Sequence, residues 1–114
     1  MDCVFCKISE GKAAADFVIN DGDVFAIRDV HPMAPTHILI IPRKHISSLM
    51  DLDGADDSAL ISKIVRTAVD VAKKVSLSDR GFRLVWNCLA EGGQTVDHIH
   101  LHLLGGRQMK WPPG

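Results

Sequence analysis

The chain has 114 residues, 46% apolar and 24% charged, with a formal net charge of -1, ordinary globular values that fit one domain over residues 1–114 with its own core. Near-neutral charge argues against a dedicated nucleic-acid surface, and 5% aromatics with no tyrosine argue against a stacking platform for single strands. No apolar run approaches the ~18 residues of a membrane span and the N-terminus has no signal-peptide layout, so a cytoplasmic protein with neither a membrane nor a nucleic-acid partner is expected.

In chain order, Cys3 to Ser9 is a short mixed segment with room for one or two helical turns, ended by Gly11. Phe17 to Asn20 and Val24 to Arg28 are β-type runs around Asp21-Gly22, a hairpin turn signal, and should pair antiparallel. The stretch from Asp29 to Pro35 holds two prolines and reads as a loop, and His37 to Pro42 is then an apolar, central-looking strand stopped by proline. From Asp56 or Asp57 to about Ser76, apolar residues at Leu60, Ile61, Ile64, Val65, Ala68, Val71, Ala72 and Val75 follow a helical period, with an acidic start and Lys73-Lys74 near the end. Phe82 to Asn87 is a fourth strand, and Cys88 to Thr95, with Gly92-Gly93, should fold back tightly towards a fifth. The pattern is that of an α+β domain: a meander of about five antiparallel strands with one long and one short helical segment packed on it.

The fifth strand is Asp97-His98-Ile99-His100-Leu101-His102-Leu103-Leu104, which holds three of the six histidines at alternate positions. Alternation puts His98, His100 and His102 on one face, about 6.7 Å apart at roughly 3.3 Å per residue, and Ile99, Leu101 and Leu103 on the other. One histidine on a strand is ordinarily a satisfied core or surface residue; three on one face would each need a partner if buried and serve little purpose if exposed. Imidazole is both the commonest metal ligand and the side chain that titrates near neutral pH, so a metal site and acid-base or nucleophilic catalysis both remain open.

Suppose this face binds a phosphate ester. Imidazole, the Thr95 hydroxyl, the Asn87 amide and the N–H groups of Gly93-Gln94-Thr95 could cradle an anion without lysine or metal. The middle histidine, flanked by two others and steadied by a carbonyl behind its ring, could attack phosphorus as a nucleophile. No Gly-x-Ser-x-Gly, Walker-A lysine loop or Gly-x-Gly-x-x-Gly competes.

The run His98-Ile99-His100-Leu101-His102-Leu103-Leu104 resembles the signature of the histidine triad (HIT) superfamily, and its continuation by Gly105-Gly106-Arg107-Gln108-Met109 and Trp111-Pro112-Pro113-Gly114 is similar to the Hint branch. Asp29-Val30, Ala34 to Pro42, His45-Ile46-Ser47, Asn87 and Gly92 to Val96 extend the likeness over nearly the whole chain. The resemblance implies a HIT-like fold with its sheet continued across a two-fold homodimer. It implies hydrolysis of purine nucleoside 5'-phosphoramidates, of the adenosine phosphoramidate or AMP-lysine type, to a nucleoside monophosphate (AMP or GMP) and an amine through a nucleotidyl-histidine. By position it makes His100 the nucleophile, with His98 and His102 as the other catalytic triad members and His37 supporting the ring from behind. His102, Asn87, Thr95 and the Gly93-Gln94 backbone would hold the phosphate, Asp29 the ribose hydroxyls, and Phe5, Ile8, Ile19 and Ile27 the base. Trp111 would approach the partner subunit's site. Thr95 stands where many relatives have serine, keeping the hydroxyl and adding a methyl. His31 falls where a small polar residue is expected, and either touches ribose or faces solvent.

Three cysteines cannot all pair, and a reducing compartment disfavours disulfides. Cys3-x-x-Cys6 with His45 and His98 makes a Cys₂His₂ set, which in some HIT relatives binds structural zinc; the alternative is two ordinary thiols. Cys88 reads as a bystander. Catalysis requires no cofactor on this reading, because four protein ligands leave a zinc ion no open position. Three other readings stand beside the phosphoramidase: a nucleotide-binding or scaffold protein with incidental turnover, a dinucleoside-polyphosphate hydrolase, and a zinc-dependent hydrolase at the triad.

Overall fold

The structure, a computed structural model, describes residues 2–114. Helix α1 (Val4–Ser9) precedes the hairpin of β1 (Phe17–Asp21) and β2 (Val24–Arg28), followed by β3 (Thr36–Pro42), the long helix α2 (Gly54–Lys74), β4 (Arg83–Val85), the four-residue α3 (Leu89–Gly92) and β5 (Leu101–Gly105). All five strands form one antiparallel sheet in the order β1-β2-β3-β5-β4. The first three strands are the expected meander; the last two depart from it. Helix α2, about 30 Å long at 1.5 Å per residue, carries the chain across the sheet, so β4 forms the far edge and β5 enters between β4 and β3.

Alternation gives each face of the sheet its own core. Val24, Ala26, Ile38, Ile40, Leu101 and Leu103 pack against Ile64, Ala68, Val71 and Ala72 of α2, four residues that form one stripe at helical spacing. The helix starts at Gly54, two residues ahead of its expected acidic start. There Asp57 accepts the Asp53 N–H at 2.9 Å and the Lys44 ammonium at 2.6 Å. On the other face Phe25, Ile27, Leu39 and Ile41 pack against Cys3, Phe5 and Ile8, so α1 covers part of the face that carries the histidines.

Three boundaries differ from expectation. Strand β4 is limited to Arg83–Val85. The segment 88–95 is more than a turn: it holds α3, closed by Gly93 at φ 80, a left-handed cap suited to glycine. Strand β5 begins only at Leu101, because before it the chain is tied to a loop instead of the ladder by the Ile99 N–H to the Ile46 carbonyl, 2.8 Å. The alternation of faces survives nevertheless, with Ile99 in the α2 core and Phe5 of the opposite core set edge-on against His98 and His100. Among the described residues no helix is long and apolar enough to cross a membrane.

Candidate active site

Backbone carbonyls orient the first two histidines of the row in opposite senses. His98 Nε2 lies 2.7 Å from the Pro42 carbonyl and His100 Nδ1 lies 2.8 Å from the His98 carbonyl. A carbonyl only accepts, so each of those nitrogens carries the proton and the other nitrogen of each neutral ring is a bare lone pair. His98 thereby offers Nδ1 and His100 offers Nε2. Burial holds both imidazoles below their usual range, partly opposed by the carbonyl each one meets; both are neutral near pH 7.

His102 is set by a side chain. His37 Nδ1 accepts the Met33 N–H at 3.1 Å, so the His37 proton sits on Nε2, which lies 2.9 Å from His102 Nδ1 and 3.4 Å from Asp29 Oδ2. Donation to His102 Nδ1 leaves the His102 proton on Nε2. Burial, followed by the neighbouring His100 and His37, pushes His102 down to about 4, and burial also lowers His37 against the pull of Asp29. The His37–Asp29 contact therefore joins a neutral ring to a carboxylate and is no salt bridge near neutral pH. His37 stands against His102 instead of behind His100 because the β3–β5 register pairs His37 with Leu104, which makes His102 its diagonal neighbour on the same face.

At the other end, the lone pair of His98 enters a cluster. Its Nδ1 is 3.3 Å from Cys3 Sγ, 3.6 Å from Cys6 Sγ and 3.1 Å from His45 Nδ1, which is itself 3.4 Å from Cys6 Sγ. All four atoms fall within 4.8 Å of one another. Tetrahedral zinc, with bonds of about 2.3 Å to sulfur and about 2.0–2.1 Å to nitrogen, separates sulfur from nitrogen by about 3.5 Å and nitrogen from nitrogen by about 3.3 Å. The donor set fits that ion in type, number and spacing. Burial and the adjacent Cys3 raise the Cys6 thiol, and metal binding there would release its proton. Bound zinc would supply a cross-link between α1, the loop after β3 and the histidine run.

The expected nucleotide residues are spread over several places. Phe5, Ile8 and Ile27 share the core on the histidine face. Ile19 packs with the α2 core instead, because the register shifts between Phe17 and Ile19, setting Ile19 opposite Ala26; the bulge turns it to the other side of the sheet. Asp29 lies beside His37, its Oδ1 accepting the His31 N–H at 2.8 Å, and the His31 side chain is exposed. Thr95 is exposed and lines a cleft of about 460 Å³ with Ser47, Asp97, Cys3 and His45, and Asn87 is half-buried just after β4. The Gly93 and Gln94 amides, expected to face phosphate, close α3 on the Ala90 and Leu89 carbonyls, each at 3.1 Å. The Gln94 side chain is a brace: it donates to the Ser47 and Val96 carbonyls at 2.6 and 3.0 Å and accepts the Leu89 N–H at 3.0 Å. Trp111 is 81% exposed, with the Arg83 guanidinium 5.9 Å from its ring centroid. Cys88 is a free, half-buried thiol. The Pro42 and His98 carbonyls and the Met33 amide, which order the site, carry no side-chain signal that sequence could reveal.

Comparison with known proteins agrees with this geometry. The chain is similar in structure to a HIT family hydrolase from Legionella pneumophila, with a TM-score of 0.95 and 52% identity over 99% of this chain and 100% of that one. It is 43% identical over 113 residues to an uncharacterized HIT-like protein of Synechococcus elongatus, covering 99% of this chain and 97% of the relative. A histidine triad nucleotide-binding protein from Candida albicans superimposes with a TM-score of 0.83 at 27% identity, over 97% of this chain and 83% of that one. The HIT domain model matches residues 10–109, and the chain belongs to the HIT domain family.

Proposed function

We propose that this HIT protein is a hydrolase of the Hint type that cleaves purine nucleoside 5'-phosphoramidates to a nucleoside monophosphate and an amine by way of a nucleotidyl-His100. The observation that carries the reading is the 2.8 Å bond between His100 Nδ1 and the His98 carbonyl: it leaves Nε2 of a neutral imidazole bare and aimed away from its own backbone, the state a nitrogen nucleophile requires. In the first step Nε2 bonds to phosphorus as the P–N bond breaks, and the amine departs with a proton from solvent. Water then adds to phosphorus, the P–Nε2 bond breaks, and the proton returns to solvent. His102 donates its Nε2–H to the phosphoryl group in both steps, and Asn87 and Thr95 are proposed as further donors to it. Asp29 retains acceptor capacity for the ribose hydroxyls, since each carboxylate oxygen accepts more than one bond.

The cluster of Cys3, Cys6, His45 and His98 is proposed as a structural zinc site with no step of the reaction on it. A two-fold homodimer, with Trp111 reaching the neighbouring site, is supported by the exposure of Trp111 and by the position of β4 at a sheet edge. Single-turnover incubation with adenosine 5'-phosphoramidate, quenched and read by intact mass, should show one AMP on the protein, absent in His100→Ala. Nucleotide binding with neither adduct nor turnover would replace this reading by that of a binding protein.

A further inference from the structure

We propose that Arg107 is a positioning residue that fixes which nitrogen of His102 carries the proton, acting through Met33 and His37; the proposal rests on the reading of this site as a phosphoramidase. Arg107 follows β5 and lies on the surface, 74 residues from the loop it touches, yet its Nε and Nη2 both donate to the Met33 carbonyl, at 3.2 and 3.0 Å. Its Nη1 makes only a long 3.4 Å contact with the Gln108 carbonyl, and no carboxylate pairs with it among the described residues. Two charge-assisted donors on one acceptor hold that carbonyl in place.

Met33 is thus gripped at both ends. Its carbonyl is held by Arg107, and its N–H points at His37 Nδ1, 3.1 Å away. Without the grip this residue belongs to an exposed loop with little else to order it: Val30 and Met33 are 84% and 69% exposed. The turn that delivers Arg107 is built for close approach. Gly106 has φ 90, and a Cβ there would stand 2.9 Å from Pro35 Cβ, so only glycine lets the segment after β5 close on the 29–35 loop.

The consequence reaches the reacting centre by the rules of imidazole tautomers. While Met33 donates to His37 Nδ1, His37 must carry its proton on Nε2, His102 Nδ1 must accept it across 2.9 Å, and His102 Nε2 is left as a donor towards the phosphoryl group. If the Met33 N–H swings away, only Asp29, 3.4 Å from Nε2, still favours a proton there, and His37 can take its proton on Nδ1. The short contact then demands a proton on His102 Nδ1, and His102 turns a lone pair towards phosphate oxygens that also carry lone pairs. Charge repels where a hydrogen bond is needed.

The test reads tautomers and chemistry separately on the full chain. Nitrogen-15 spectra of the imidazoles should show His37 and His102 protonated on Nε2 in the native protein, and a growing population protonated on Nδ1 in Arg107→Ala, with Arg107→Lys in between because one ammonium cannot reproduce the two-pronged grip. Formation of the nucleotidyl adduct from adenosine 5'-phosphoramidate should slow about tenfold or more in Arg107→Ala, the loss expected for one hydrogen bond to a charged group. Unchanged tautomers in both variants, or a native His102 protonated on Nδ1, would overturn the proposal whatever the rates do. Absence of any adduct in the native protein defeats the phosphoramidase reading and leaves the tautomer result to be judged by itself.

Discussion

His98 and His102 are the same side chain four residues apart, and they are held in opposite ways. His98 is fully buried, with one nitrogen on a carbonyl and the other among three metal-type donors from distant parts of the chain. His102 is only partly buried, and its nitrogen rests on another titratable ring, itself tied to a carboxylate and to an exposed loop. The first arrangement suits a fixed anchor. The second suits a group whose protonation follows its surroundings, and His100 lies between them with its ring on the His98 carbonyl. The contrast teaches that three identical residues on one face need not share a task; what lies behind each ring decides which nitrogen it offers.

The contrast can be broken most severely at its centre. His100→Ala should lower phosphoramidate turnover at least on the order of 10³-fold while AMP still binds, because the lost ring is the proposed nucleophile and only one of several proposed phosphate contacts. Retention of a tenth of native turnover would end the covalent mechanism. Next in size is the anchor end. The protein should carry about one zinc ion per chain; at a metal concentration near a hundred times the dissociation constant, binding adds about 2.7 kcal/mol, so removal by a chelator should lower the melting temperature by about 10 °C. Metal-free protein at full stability would refute the anchor.

The responsive end is probed by Asp29→Asn. A carboxylate accepts from two ribose hydroxyls where an amide cannot accept with both groups, so discrimination of ribose over deoxyribose should shrink by about 1.5 to 3 kcal/mol in kcat/KM. An unchanged ratio removes Asp29 from the ribose, and metal content should be the same as in the native protein. The last effect is in pH. In the unfolded chain a histidine protonates below about 6.5, whereas folded His102 stays neutral until about 4. The unfolded state therefore binds more protons in that window, and stability should fall as pH drops through it. His102→Gln should flatten the slope of the melting temperature between those values, while an equal slope in both proteins would show that His102 does not titrate as described.

Apolar β-type runs, bounded by the Asp21-Gly22 turn and by Pro42, made β1, β2 and β3 legible, and a one-sided helical period did the same for α2. Periodicity says nothing of which strand lies beside which, so the insertion of β5 between β3 and β4 was not legible. The helix α3 was hidden in four residues, and the bulge that turns Ile19 away leaves no mark in a run that alternates acceptably either way. The four metal-type donors could be named from residue type together with the resemblance to HIT relatives, and spacings of up to 95 residues left their convergence to the fold. Gln94 is expected from sequence to face phosphate through its backbone N–H; that N–H closes α3 instead, and the side chain, to which sequence assigns no role, braces the loop with three bonds.

The central place of β5 also bears on how the site comes into being. The strand that continues the histidine run is later in the chain than every strand it touches, and its partners β3 and β4 are separated from each other until it arrives. During synthesis the hairpin of β1 and β2, with β3, can pair early, but the face of α2 that packs on β5 has no complete surface to rest on until the end of the chain emerges. These contacts between distant parts of the sequence form late and slowly. A nascent chain therefore has no half-built reactive centre: the bare nitrogen of His100 and the donor set around His98 both come into existence with the closing of the sheet. Any chaperone that recognises the unfinished form should meet an exposed apolar helix face and should lose its grip once the last strand inserts.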